Sequence, residues 1–384
     1  MSEQRKLFID VRSGSIGAAL INSTGETKSE ILFCKRLRLP LQMEFVADRL
    51  QSSLLEKLNE LFSELHSANI RRPDEVHITI GAPWQISQTR LVVNTSETSF
   101  RYDENFAKKI LLEEEDAFKA ENFRNIDAQI IEQEIISIEL NGYKTDKPMG
   151  KLAKELKLSS YLSAISKHLF EAIENRAQHA FHHKKIDFHT FPILALVAGN
   201  KIMKGKVPSY LMIDIGGEVS EASLIRDGII INAFSFPLGA HSVIREIAQN
   251  FKSNIDEAES MYEAFLDKRI SLKLSDKIKH VLSNIQVKWT AYTRGILEKI
   301  ALNYILPQDI VILGIKSTSH LFSQILDEKE IAGLFSAQTE RRTIIPEPKD
   351  LLRDFYARPG TGRLDLFLST EIFAIEKLKD LTYN

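Results

Sequence analysis

Residues 7–21, LFIDVRSGSIGAALI, align without a gap on residues 211–225, LMIDIGGEVSEASLI. Leu7, Ile9, Asp10, Ala18, Leu20 and Ile21 recur as Leu211, Ile213, Asp214, Ala222, Leu224 and Ile225. Chance alone would supply roughly one such identity. Shared Leu and Ile are what any two buried strands offer, but two aspartates at the same point of the pattern are not. Each copy reads as strand, small-residue turn, strand. A second turn follows, at Ser23–Gly25 and at Asp227–Gly228, and then another β-rich segment. A chain that carries this unit twice is constrained to two related α/β halves, each opening with a β-hairpin that ends on an aspartate.

Two facing hairpins of this kind have a chemical use. The backbone N–H groups of a tight turn point into a concavity and can bind phosphate oxygens. Glycine lets the backbone come close. An aspartate at each strand end, Asp10 and Asp214, can orient the water shell of a magnesium ion, which prefers carboxylates and retained waters. A nucleotide would lie between the halves, where domain interfaces commonly form pockets. The bland alternative is a pair of unrelated hairpins whose aspartates only cap turns.

The segments that follow are compatible with such a site. In residues 233–251, AFSFPLGAHSVIREIAQNF, Pro237 and Gly239 break the strand. Val243, Ile244, Ile247, Ala248 and Phe251 then recur at helical spacing. A glycine-led helix N-terminus is a second place for an anion. Residues 254–265, NIDEAESMYEAF, read as a helix capped by Asn254 or Asp256, and 309–326 as buried strand, Gly314, polar turn and helix. The final segment, 367–384, has apolar residues at helical spacing, and with only Lys377 and Lys379 it lacks the basic face of a membrane-surface helix.

Bulk properties exclude other classes. A net charge of −2 over 384 residues gives no global pull toward nucleic acid or anionic membrane. The basic clusters Arg36–Arg38, His182–Lys185 and Arg341–Arg342 are short and read as solvated faces. So does the acidic run Glu113–Asp116, with a partner surface as its alternative. Cys34 is the single cysteine and reads as a buried bystander in a reducing compartment. His179 and His183 have helical i, i+4 spacing, but no cysteine or carboxylate completes a metal set, so an exposed helix end is expected. The N-terminus shows no secretory leader and no stretch suggests a membrane span, so a cytoplasmic protein is expected.

Taken in order, the two hairpins, the Pro237-Leu-Gly-Ala240 helix start, Ala258-Glu-Ser-Met-Tyr262 and the late strand–Gly–helix resemble the actin-like ATPase superfamily. Within it the chain is most similar to the bacterial cell-division FtsA family and its relative, the PilM family of type IV pilus assembly. The resemblance is strongest over 205–262. It extends to an insert that contains IIEQEIISIELNGYKTDKPMGKLAKELKLSSYLSAIS.

It implies an α/β actin-like ATPase fold of two duplicated ribonuclease-H-like domains with a small α+β subdomain inserted in the first. Expected boundaries are 1–83 with 163–206, the insert at 84–162, and a second domain at 207–384 with a helical subdomain at about 250–306. The implied ligands are ATP and magnesium. Asp10 and Asp214 would organise the metal, and Ser13, Gly14, Gly216, Gly217 and Gly239 would surround phosphate. Glu259 would lie near ribose, and Gly314 would also belong to the site.

The implied role is a cytoplasmic scaffold of the FtsA type that links FtsZ polymer to the envelope machinery and can self-polymerise. The alternative is a PilM-type scaffold that grips a PilN-type peptide. FtsA sequences usually continue to a membrane-targeting helix, so membrane attachment is expected only through a partner. A sugar-kinase-type phosphotransferase is a third reading, for which no catalytic base stands out.

The departures from the family pattern concern the site itself. Glu218 replaces a glycine in the second turn and Arg12 another in the first. Ile315 and Lys316 stand where the adenine-side turn is usually a glycine cluster, and Tyr262 replaces a lysine. A carboxylate about 4 Å from a phosphate charge costs about 4 kcal/mol at an effective dielectric near 20, about a thousandfold in affinity. Hydrolysis is therefore expected to be weak or absent. Arg12 is expected to pair with Glu218 across the cleft.

Overall fold

The computed structural model describes residues 4–23, 29–68, 72–182, 186–205, 207, 209–335, 340–352, 355–357 and 360–382. The first half runs β1 (Gln4–Val11), β2 (Ser15–Ser23), β3 (Ser29–Arg38), α1 (Ala47–Ser67) and β4 (Glu75–Ile80). It continues with β5 (Gln85–Arg101), α2 (Glu104–Asn122), β6 (Ala128–Leu140), β7 (Tyr143–Lys144), β8 (Leu152–Ser166), α3 (Lys167–Phe181), β9 (Asp187–Thr190) and α4 (Phe191–Ile202). The second half runs β10 (Ser209–Ile215), β11 (Ser220–Arg226), β12 (Ile229–Phe236), α5 (Ala240–Phe251), α6 (Ile255–Leu266), α7 (Leu272–Ala301), β13 (Asp309–Leu313) and α8 (Lys316–Ile325). It ends with α9 (Lys329–Ala332), β14 (Arg342–Ile344), α10 (Pro348–Leu351), β15 (Phe355–Ala357) and α11 (Leu366–Thr382).

Two sheets repeat one topology. The first is ordered β15-β3-β2-β1-β4-β9 and the second β12-β11-β10-β13-β14. In both, three antiparallel strands lead into parallel neighbours on the far side of the first strand. The likeness reaches single residues. Register shifts fall between Leu20 and Ile21 and between Leu224 and Ile225, which are the same two positions of the repeat. A β-bulge twists and bends its strand, so both hairpins are shaped by the same local defect.

The central strands are buried on both faces, which is why they read as continuous apolar runs. Leu7, Ile9 and Val11 of β1 face α1 and α3, and in α1 Leu50, Leu54, Leu58 and Leu61 recur at helical spacing. Phe8 on the opposite face packs with Leu194 of α4 and with Leu368 and Ile372 of α11. The same two helices also bury Phe191, Ala195 and Phe367 against Tyr210 and Met212 of β10. α4 and α11 therefore form a layer between the sheets, and that layer brings the ends of β1 and β10 to one cleft.

The third sheet, ordered β5-β8-β6-β7, is covered by α2 through Ala107, Ile110 and Phe118. Asp103 caps α2 by accepting from the Phe106 N–H at 2.9 Å. The acidic run on α2 is not wholly solvated. Glu114 holds Arg90 of β5 at 2.7 Å, because Arg90 lies on the sheet face that α2 covers. α3 ends at Phe181, with His182 in the left-handed region at φ 52°. His183 lies outside the described residues, and among those residues no group of His, Cys, Asp and Glu is arranged to hold a metal. Cys34 is buried, and burial pushes its thiol up to about 12. Among the described residues no helix is long and apolar enough to cross a membrane.

Candidate functional site

The turns after β1 and β10 meet face to face. A Cβ added to Gly217 would fall 2.5 Å from the Gly14 Cα, so the two backbones are already in contact. Gly14 and Gly217 are glycines because the lobes touch at this point. The Glu218 N–H donates to Ser13 Oγ across the contact at 3.0 Å. At the point where Gly14 meets Gly217 nothing can lie between the turns.

Part of the expected phosphate cradle is used internally. Gly239 stands at the N-terminus of α5, and the next two N–H groups, of Ala240 and His241, donate to the carbonyls of Gly216 and Gly217, both at 2.9 Å. The Gly216 N–H donates to Val219 O at 3.0 Å and the Arg12 N–H to Ser15 O at 3.1 Å. The helix N-terminus read as an anion site has thus been capped by the neighbouring turn.

Asp10 and Asp214 do come together, and Arg12 stands between them. Arg12 Nε lies 3.2 Å from Asp10 Oδ1, and Nη1 lies 3.1 and 3.0 Å from the two Asp214 oxygens. Its guanidinium is stacked between Phe191 and Phe367, 3.7 Å from each ring centroid. Such stacking suits a planar, weakly hydrated cation in a dry place. Burial pushes the Arg12 pKa down and Asp214, Asp10 and Glu371 push it up more, so the guanidinium stays charged. Burial raises Asp214 above the usual carboxylate range despite Arg12.

The expected Arg12–Glu218 pair does not form. The Glu218 carboxylate turns away to α5, 2.8 Å from His241 Nδ1 and 2.7 Å from both terminal nitrogens of Arg245. Burial raises its pKa and these hydrogen bonds and charges lower it, leaving it below the ordinary value. The turn geometry aims Glu218 sideways rather than at Arg12, and Arg12 finds two nearer carboxylates.

Arg36 corrects the expectation of a solvated basic face. It lies on β3 opposite Gly17 of β2, and a Cβ there would fall 2.7 Å from its Nη2. The bare glycine lets the guanidinium lie across β2. It reaches Asp10 at 2.7 Å and Asp365 at 2.6 Å. Glu371, fully buried in α11, completes the cluster. Burial and the nearby Asp10 hold its carboxyl well above the usual range. Sequence reasoning missed Arg36, Asp365 and Glu371. One signal was available, the polar triplet Ser369-Thr370-Glu371 inside an otherwise apolar final helix.

Beside Arg12 the cleft keeps a cavity of about 330 Å3, with Ile215, Ile244, Tyr262 and Ile315 among its walls. Of the expected site residues, Gly14, Gly216, Gly217 and Glu259 line this cavity. Gly314 packs under it, where a Cβ would fall 2.8 Å from Ser319 Oγ. Asn254, not Asp256, caps the α6 helix beside it, accepting from the Glu257 N–H at 2.9 Å.

The residues present do not fit magnesium with ATP. A guanidinium already neutralises the two aspartates that would orient the metal, and the turns that would cradle phosphate are in contact.

Comparison with known proteins agrees with the architecture. No family model matches the chain, and no curated protein matches it. Among solved structures it is similar to the PilM-PilN type IV pilus biogenesis complex, at 15% identity and TM-score 0.63 over 96% of this chain and 94% of that one. It is also similar to MreB 5 of Spiroplasma citri bound to AMPPNP, at 13% identity and TM-score 0.46 over 99% and 97%. The ethanolamine utilization protein EutJ from Carboxydothermus hydrogenoformans matches at 11% identity and TM-score 0.44 over 90% and 86%. With twin sheets of one topology, hairpins meeting over a shared cleft and a likeness along nearly its whole length, the chain has the two-domain actin-like ATPase fold.

Proposed function

We propose that this protein is an actin-like scaffold that does not hydrolyse ATP. The observation that carries the reading is Arg12, paired with Asp10 and Asp214 where a metal and phosphate would otherwise work. A buried cation bridging both lobes supplies internally the charge balance that a metal nucleotide supplies in an ATPase. The lobes are then held together without a ligand to bind and release.

Titration calorimetry with ATP and magnesium tests this. The expected result is no heat of binding and no phosphate release, in the wild type and in Glu218→Gly alike. Glu218 is not what closes the slot, so removing it opens nothing. Turnover of ATP by the wild type would overturn the reading.

A scaffold acts through a protein partner. The likeness to PilM in complex with PilN supports a PilM-type role, in which a short segment of a membrane protein is gripped and holds the scaffold at the inner face of the membrane. The FtsA-type role in cell division, with the FtsZ tail as partner, is the competing form. Pull-down with a PilN-type N-terminal peptide against an FtsZ C-terminal tail decides between them. Retention of the FtsZ tail alone would defeat the PilM-type form. Light scattering at rising protein concentration reads self-polymerisation separately.

A further inference from the structure

We propose that the groove between α1 and α3 binds a phosphate group carried by a small molecule. It lies on the side of the first sheet opposite α4 and α11, so it is separate from the cleft and independent of the non-hydrolysing reading.

The walls come from two helix faces. Asn59, Ser63 and His66 stand at helical spacing on α1, and Asn175, Arg176 and His179 face them from α3. The two helices pack through their apolar sides, with Phe62 of α1 against Phe181 of α3 at 4.9 Å between ring centroids. Above that contact an open groove of about 760 Å3 remains, within the range of small-molecule sites.

Charge decides the class of ligand. The polar side chains of the walls are amides, hydroxyls, imidazoles and one guanidinium, and among the described residues no carboxylate lines the groove. Glu60 and Glu64 of α1 lie outside it, paired with Lys57 and Lys35, both at 2.6 Å. Arg176 Nη1 donates to Ala172 O at 2.8 Å, a carbonyl of its own helix, and among the described residues Arg176 forms no ion pair.

His66 adds to the field. Its Nδ1 lies 2.8 Å from Phe62 O and its Nε2 2.9 Å from Ala180 O. A carbonyl only accepts, so a ring that makes both bonds donates from both nitrogens and is a cation. It also covers Ala180 O, one of the carbonyls left open at the end of α3, where the helix dipole would otherwise oppose an anion. A guanidinium is a planar fork that matches two phosphate oxygens. The amide of Asn59 and the hydroxyl of Ser63 supply donors from the facing helix.

The test is calorimetric titration of the full chain with inorganic phosphate, with glycerol phosphate, and with vesicles of phosphatidic acid in phosphatidylcholine, all against chloride at equal ionic strength. Saturable binding with a Kd of about 1 mM or tighter is expected. Binding of the soluble compounds assigns the site to a free phosphate compound, and binding of the vesicles alone assigns it to a lipid headgroup. Arg176→Gln removes the fork at a partly exposed position, so it should melt like wild type and bind about tenfold or more weakly. Asn175→Asp places a repelling charge on the exposed wall beside it and should weaken binding in the same direction. No saturable binding in any arm, an adventitious ion only, or binding that either variant leaves unchanged overturns the inference.

Discussion

The turn of the first hairpin and the turn of the second occupy equivalent places in equivalent sheets, yet their chemistry is exchanged. In repeat alignment Arg12 corresponds to Gly216, and Gly14 to Glu218. Each turn kept one glycine for the contact between lobes and gained one charge. The first turn's charge spans the molecule, since Arg12 joins Asp10 of its own lobe to Asp214 of the other. The second turn's charge stays at home, because Glu218 pairs with His241 and Arg245 of the helix that follows it. The backbone device is thus the same in both halves, down to the bulges, while one turn's charge spans the lobes and the other's stays within its own.

The comparison breaks most severely at Arg12. Arg12→Ala leaves Asp10 and Asp214 buried without their shared cation. It is expected to cost about 3–5 kcal/mol in denaturant unfolding. Adding Asp214→Asn should recover part of that loss, because one uncompensated charge is removed and the pair is coupled. A silent unfolding curve for Arg12→Ala would sink the clamp.

Glu218→Ala is expected to cost less, about 1.5–3 kcal/mol, since it removes charged hydrogen bonds within one lobe. If the two variants cost the same, the distinction between a spanning and a local charge is lost.

A third test uses a carboxyl outside both turns. Glu132 of β6 accepts from the Thr190 N–H at 2.8 Å and from the hydroxyls of Thr190 and Ser163. Burial pushes its carboxyl up to about 7 from an ordinary 4.5, against those hydrogen bonds. The folded chain keeps this proton over a range in which the unfolded chain has lost it. Stability from the neutral form is therefore full below the ordinary value and is lost as pH rises through about 7. Melting temperature should fall across that window, and Glu132→Gln should flatten the fall. An unchanged slope in the variant would assign the pH dependence elsewhere.

The smallest effect is expected at Arg38. Its side chain is 74% exposed and faces Glu263, itself 57% exposed, at 3.4 Å. Arg38→Ala should change stability by less than about 1 kcal/mol. With Arg36 two residues away and buried in the cluster, this pair of arginines measures how much position decides a charge's worth.

What the sequence determined by itself was local and periodic. Continuous apolar runs, the Asp-Gly turn at residues 227–228, the glycine before α5 and the aspartates at the strand ends are all read within a few neighbours, and the repeat is visible because two such local patterns coincide. Arg12 and Glu218 were also legible as misfits in their turns. Their partners were not. Arg12 meets Asp214 across 202 positions of chain, and Arg36 meets Asp365 across 329. Such pairings exist only once α4 and α11 have set the two sheets at a fixed distance. A charge has no directional signature in sequence, and its energy depends on which opposite charge burial leaves nearest. Only the tertiary structure could decide that.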